Sequence, residues 1–223
     1  MREKLCRAAP VVITVLACLW LGAFPLASDL TYTHITHTKW VIALCLGGAT
    51  LLLGGGLRLF TRQKIDPVRV LALLYFGWVA LSAWQGVYAD SVNGEDQLTV
   101  LWGARRYEGL ITQLCYLGIF LGMSAARPRM RPVRWAVVAG VTLYCALTAA
   151  QYTGANPLGF YPGSLSILTN YEFQGTLGNI DMDSGYLLLA LPLGLGGFVF
   201  SDKKWRWAAL GLSLLGEAAL LLT

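Results

Sequence analysis

The chain has 223 residues, 56% of them apolar and only 13% charged, with a formal net charge of +5. The charged share is about half that of an ordinary globular domain, which excludes a soluble charge-rich protein. The cations sit in short turns between apolar runs, so their excess speaks of membrane topology and excludes a nucleic-acid surface. Met1–Arg7 is a short basic head, and the apolar run Ala8–Ala27 follows it. A basic head before an apolar run has the order of a signal peptide. The run is long for that role and no clean A-x-A site follows, so it reads as a retained first span. The polar loop Ser28–Lys39 holds both histidines, His34 and His37. No further ligand type clusters near them, so they read as surface residues and no metal site is expected.

Trp40–Phe60 is the second expected span, with small residues at Gly47, Gly48 and Gly54–Gly56 that permit close helix contact in lipid. Thr61–Pro67 is a short basic turn. Val68–Val87 is the third span, with Trp78 and Trp84 in its outer half. Tyr88–Arg106 is a longer loop carrying Asp90, Glu95 and Asp96. Leu110–Ala126 is the fourth span, where Gly118 and Gly122 offer a packing face. Arg127–Arg134 is the most basic turn, RPRMRPVR; it reads as a topology anchor and is compatible with a phospholipid headgroup contact. Trp135–Tyr152 is the fifth span. Thr153–Asn179 is the longest loop, punctuated by Asn156-Pro157 and Tyr161-Pro162-Gly163. A loop of that length is usually functional or folded onto the membrane surface. The sixth span opens near Asp181–Ser184 and ends near Phe200, with Pro192 inside it as an expected kink. Ser201–Arg206 is basic, and Trp207–Thr223 is a seventh span that stops without a flank, as in the front portion of a longer protein. The cysteines Cys6, Cys18, Cys45, Cys115 and Cys145 are scattered, form no CxxC, and read as small apolar fillers.

The expectation is therefore an all-α, polytopic transmembrane helix bundle of about seven spans. It forms one transmembrane domain over residues 1–223, with outer loops at 28–39, 88–109 and 153–180. With the N-terminus inside, 14 of the 17 Lys and Arg fall on the inner side, and only Lys39, Arg105 and Arg106 lie outside. Topology thus leaves Arg105 and Arg106 unexplained.

Two stretches on the outer side combine polar chemistry with a membrane edge. The first is WGARRYEGL, Trp102–Leu110. A guanidinium binds phosphate through two parallel hydrogen bonds, so Arg105 and Arg106 suit a lipid-linked phosphate or diphosphate. They also suit an interfacial anchor, or an internal pair with Glu108. Glu108 in turn can orient an arginine or act as a base. The second stretch is FQGTLGNIDMDSGYLLLALPL, Phe173–Leu193. It opens a helix whose N-terminus faces outward and attracts anions. Gly175 and Gly178 let a backbone approach a ligand, and Asn179 offers donor and acceptor. Asp181 and Asp183 are candidates for a general base; with Ser184 they are also good helix caps. Glu217 is costly against lipid and is expected to face the bundle or a partner.

The segment GTLGNIDMDSGYLLLALPL resembles the stretch that opens a membrane helix in the O-antigen ligase and O-antigen polymerase family, at Gly175, Thr176, Gly178, Asn179, Gly185 and Tyr186. It departs at Ile180 and Asp181, where the family often has Pro-Asn. WGARRYEGL resembles a second family segment at Gly103, Arg106 (or Arg105 by a one-residue shift) and Gly109. The resemblance implies a GT-C-like integral membrane glycosyltransferase that needs no metal or other cofactor. Such an enzyme takes a glycan from an undecaprenyl diphosphate carrier to an acceptor at the outer face of the bacterial cytoplasmic membrane. It implies diphosphate binding by Arg105, Arg106, Gly175, Gly178 and Asn179, with a lipid-linked oligosaccharide and membrane lipids as partners. The family's catalytic histidine lies further along than Thr223, and His34 and His37 do not match it, so residues 1–223 alone are expected to be inactive. Two other classes compete. A transporter or flippase of a lipid-linked saccharide needs midplane charge, of which Glu217 is the one hint. A non-catalytic scaffold needs only the spans and leaves the arginine pair unexplained.

Overall fold

Inside a bilayer there is no water to satisfy N–H and C=O groups, so a chain of recurring apolar runs closes its backbone bonds within helices. The computed structural model describes residues 2–29, 35–61, 66–93, 98–103, 107, 109–159, 175–177, 180–200 and 203–222. Among these residues all regular structure is helical: α1 Arg2–Cys18, α2 Ile35–Thr61, α3 Pro67–Asn93, α4 Leu98–Trp102, α5 Leu110–Ala126, α6 Met130–Tyr152, α7 Ile180–Phe200 and α8 Lys203–Leu222. α1 does not end at Cys18. It passes into a π-helical turn, Leu19–Ala23, closed by the Phe24 N–H on the Leu19 carbonyl, and then into a 3-10 turn, Phe24–Leu26. Pro25 lacks the N–H that an α-helix would need there, which explains the break.

Among the described residues four segments are long and apolar enough to cross a membrane: Ala8–Leu26, Ile35–Leu57, Pro67–Gln85 and Met130–Tyr152. The membrane-helical class stands on these, and among the described residues the expected count of about seven is not reached. α5 has 17 residues, against the roughly 20 that a span needs. α7 carries Asp181 and Asp183 in its first turn, and α8 contains Lys204, Arg206 and Glu217. Helix ends also extend past the apolar runs: α2 starts before Trp40, and α3 runs on to Asn93. The apolar surface of α3 points outward, with Leu71, Leu74, Trp78 and Trp84 all more than half exposed. Such a surface belongs against lipid.

The chain divides into two compact units, Met1–Ala17 with Lys39–Arg129, and Cys18–Thr38 with Met130–Thr223. In the first, α2 and α5 meet along a seam of small residues. A Cβ on Gly47 would stand 2.7 Å from the Cys115 Cβ, and one on Gly118 would stand 2.8 Å from the Leu51 Cβ. Gly54 lies against the Gly122 backbone, and Gly122 against Thr50. Thr50 turns its hydroxyl back to the Leu46 carbonyl at 2.6 Å, which leaves its methyl for the seam. The seam thus uses Gly118 and Gly122, the pair singled out in the sequence. Arg69, only 7% exposed, closes one end. Its Nε lies 3.0 Å from Asp66 and 3.1 Å from the Ser124 hydroxyl, and a terminal nitrogen donates to the Ser124 carbonyl at 2.8 Å. A cation is well placed there, because the last carbonyls of α5 carry partial negative charge.

In the second unit α6 presents one face, Gly140, Tyr144, Thr148 and Gln151, all buried. Gly140 stands against the Gly22 backbone, and a Cβ on Gly22 would fall 2.6 Å from the Ala136 carbonyl oxygen. α7 and α8 pair through Gly194 and Gly197 against Ser213 and Ala209. Val141, Tyr144, Cys145, Leu187 and Leu212 form the core of this unit.

Gly122→Leu is expected to destabilise the first unit by about 1–3 kcal/mol through overpacking of the seam. Gly48→Ala places its Cβ where nothing lies within 4 Å and is expected to leave stability unchanged or slightly raised. Thermal unfolding of the two variants in detergent checks the contrast.

Candidate functional site

The first polar stretch forms a turn between α4 and α5 that is fastened at both ends. Gly103 has φ +79°, a backbone state that suits glycine. Gly109 lies directly against the Gly103 nitrogen and the Leu101 carbonyl, with no room for a Cβ. Its carbonyl then accepts from the Thr112 N–H at 3.0 Å, opening α5. Tyr107 is non-glycine yet has φ +54°. Such a state costs about 1–3 kcal/mol and persists where neighbours hold it. The neighbours are visible. The Tyr107 ring stacks on Trp40 at 5.0 Å, and Trp40 meets Trp102 edge-on at 5.5 Å. The Tyr107 carbonyl accepts from the Thr112 hydroxyl at 2.6 Å, and the Trp40 indole N–H donates to that same hydroxyl at 3.1 Å. Three aromatic rings and a threonine therefore fix a strained residue beside the N-terminus of α5.

The second polar stretch is set into its unit by three buried bonds. Gly175 has φ +73°, and the space a Cβ would need is taken by the Tyr144 hydroxyl. The Gly175 N–H donates to Gln151 Oε1 at 2.5 Å. The Thr176 hydroxyl donates to the Pro25 carbonyl. The Tyr144 hydroxyl donates to Asp183 Oδ1, and both side chains are fully buried. A buried carboxylate is costly unless it is bonded and its charge is offset. The first turn of α7 offsets it, since the positive end of the helix lies there. Tyr186 packs edge-on against Tyr144 at 4.9 Å. Among the described residues, Gln151 Nε2 and Tyr186 Oη are buried without a hydrogen-bond partner.

Arg105, Arg106, Glu108, Gly178 and Asn179 lie outside the described residues, as does the side chain of Asp181. Gly175 and Asp183 are brought together in the second unit. There the Gly175 N–H faces Gln151, and the Asp183 carboxylate faces Tyr144. α7 begins at Ile180, so Asp181 and Asp183 fall within its first turn rather than at its cap. Glu217 is exposed on α8 and points away from the core of its own unit. Among the described residues no group of three or more His, Cys, Asp or Glu is placed to hold a metal ion.

Sequence reasoning singled out Gly103 and Gly109 but missed Trp40, Tyr107, Thr112, Tyr144 and Gln151. A signal existed for the last two. Tyr144, Thr148 and Gln151 repeat at intervals of four and three along an apolar helix, a polar stripe on one face. No comparable pattern links Trp40 to Tyr107, which are far apart in the chain. No family model matches the chain, and no curated protein and no solved structure is significantly similar to it.

Tyr144→Phe removes the donor to Asp183 and is expected to cost about 1–3 kcal/mol. Tyr144→Phe with Asp183→Asn is expected to cost less than the sum of the single changes. A double-mutant cycle by thermal unfolding reads the coupling, and additive effects would count against the bond. Trp40→Phe keeps the stack on Tyr107 but loses the bond to Thr112. It is expected to cost about 1 kcal/mol in the same assay.

Proposed function

We propose that this chain is part of a membrane glycosyltransferase of the O-antigen ligase or polymerase type. In this reading it lies in a bacterial cytoplasmic membrane with its N-terminus inside, as a GT-C-like helix bundle. It moves a glycan from an undecaprenyl diphosphate carrier to an acceptor at the outer face. The observation that carries the reading is the turn between Gly103 and Gly109. Its ends are held by backbone contact and by the Trp40–Tyr107–Thr112 clamp. Strain of this kind gathers where a chain must present particular residues in a fixed place. The sequence between Gly103 and Gly109 includes Arg105, Arg106 and Glu108.

The chemistry follows from residue type. A leaving diphosphate gathers negative charge as the glycosidic bond breaks. Guanidinium groups held in place beforehand stabilise that charge without reorganising. A carboxylate such as Glu108 is suited to take the proton from an acceptor hydroxyl. Asp183 is less suited, because its carboxylate is buried against Tyr144.

One observation favours a second reading, a transporter of a lipid-linked saccharide. The broken end of the first helical segment is bonded to the loop before α7 through Thr176 and Pro25, and a buried acid follows in that helix. Interrupted helices and buried acids are features of transporter sites. The two readings separate in detergent, where no compartments exist. Glycan transfer by the purified native protein is expected under the first and would not occur under the second.

Arg106→Ala in the native protein is expected to leave expression unchanged, lower transfer by about a hundredfold and let lipid-linked glycan accumulate in cells. Arg105→Ala run beside it assigns the register. Normal transfer by both variants would remove the turn from the mechanism.

A further inference from the structure

The second unit contains a groove of about 330 Å³ on the end of the unit where α6 and α8 begin and α7 finishes. Its walls are apolar side chains such as Leu21, Val133 and Val137, with Trp205 of α8 at one side. Among the described residues that line it, Arg134 is the charged one, and it is exposed. The groove exists because α7 narrows here to glycine. Gly196 lines it, and a Cβ on Gly196 would meet nothing within 4 Å. Trp135 packs edge-on against Trp205 at 5.0 Å, holding the start of α6 to the start of α8. Other cations nearby are differently placed: Arg206 lies over the Phe198 ring at 4.5 Å, and Arg131 is exposed one turn before Arg134.

We propose that this groove binds one anionic phospholipid of the surrounding leaflet, with an acyl chain along the apolar wall and the phosphate on Arg134. Complementarity in depth and charge supports this occupant. Tryptophans at helix ends mark the headgroup level of a membrane. A guanidinium at that level meets lipid phosphates and pairs with them through two hydrogen bonds. The groove runs from that level into the apolar interior of the unit, where a hydrocarbon chain is the available occupant. A zwitterionic lipid offers the same chain but a phosphate already neutralised by its own amine, so the site favours a net negative headgroup.

The test uses the purified chain in detergent with phosphatidylglycerol or phosphatidylcholine of identical acyl composition, and native mass spectrometry counts the lipid retained. One phosphatidylglycerol per chain, preferred over phosphatidylcholine, is expected. Arg134→Ala should lower its retention about tenfold and erase the preference, and Arg134→Lys should keep part of it. Gly196→Phe fills the groove and should lower retention of both lipids while the unfolding temperature stays put. If that variant misfolds, the Arg134 pair decides alone. Equal retention of the two lipids by the unaltered chain overturns the proposal, as does retention unaffected by Arg134→Ala. Displacement of phosphatidylglycerol by a lower concentration of polyprenyl monophosphate overturns it in favour of an isoprenoid occupant.

Discussion

Lipid is the solvent that this chain must satisfy, and lipid removes the usual reason for helices to stick together. Leu against Leu is no better than Leu against an acyl chain. Contact must come from close backbone approach or from polar groups that hydrocarbon refuses. Both appear. Gly47, Gly54, Gly118 and Gly122 bring α2 and α5 together in one unit, and Gly22 with Gly140 bring two segments together in the other. Inside these contacts sit Thr50, Thr148, Thr176, Gln151, Asp183 and Arg69, all buried, while leucines and tryptophans of α3 face outward. Buried polar groups thus share the helix contacts with an apolar core, while large apolar side chains are also exposed, as a lipid surround allows.

The polar ties also sort the two stretches that resembled a glycan-handling family. In the second unit Gly175, Thr176 and Asp183 each have a partner in the protein: α6 supplies two, Gln151 and Tyr144, and the 3-10 turn supplies the third, Pro25. Those bonds give a motif of glycines and acids a sufficient mechanical reason. In the first unit the ring clamp fixes the ends of a turn and holds a tyrosine in an uncommon backbone state. The functional reading rests on the first stretch because Arg105, Arg106 and Glu108 lie in its sequence.

Helix class was legible from the apolar runs, and the packing role of Gly118 and Gly122 from their spacing. The number of spans was not. Counting runs treats 17 residues of α5 and the charged helix α8 as equal to the 27 residues of α2. The π turn after Cys18 left no mark in a hydropathy pattern, since Leu-Trp-Leu-Gly-Ala is apolar in any helical register. Asp183 was visible as an acid at a helix start, but its partner was not. A tyrosine in the middle of α6 is unremarkable until the fold places it across from that acid. Arg69 was counted among topological cations, whereas its geometry makes it a cap for α5. Sequence reports which residues are unusual in lipid; only tertiary structure reports what excuses them.

The turn from Gly103 to Gly109 behaves as a bracket of set span. Backbone presses on backbone where Gly109 meets Gly103 and Leu101, and Tyr107 is gripped by the Trp40 ring of α2 and the Thr112 hydroxyl of α5. A side chain at Gly109 would prise it from Gly103 and Leu101, and loss of the Trp40 ring would leave Tyr107 without its stack. Position 109 is therefore closed to any residue that carries a Cβ.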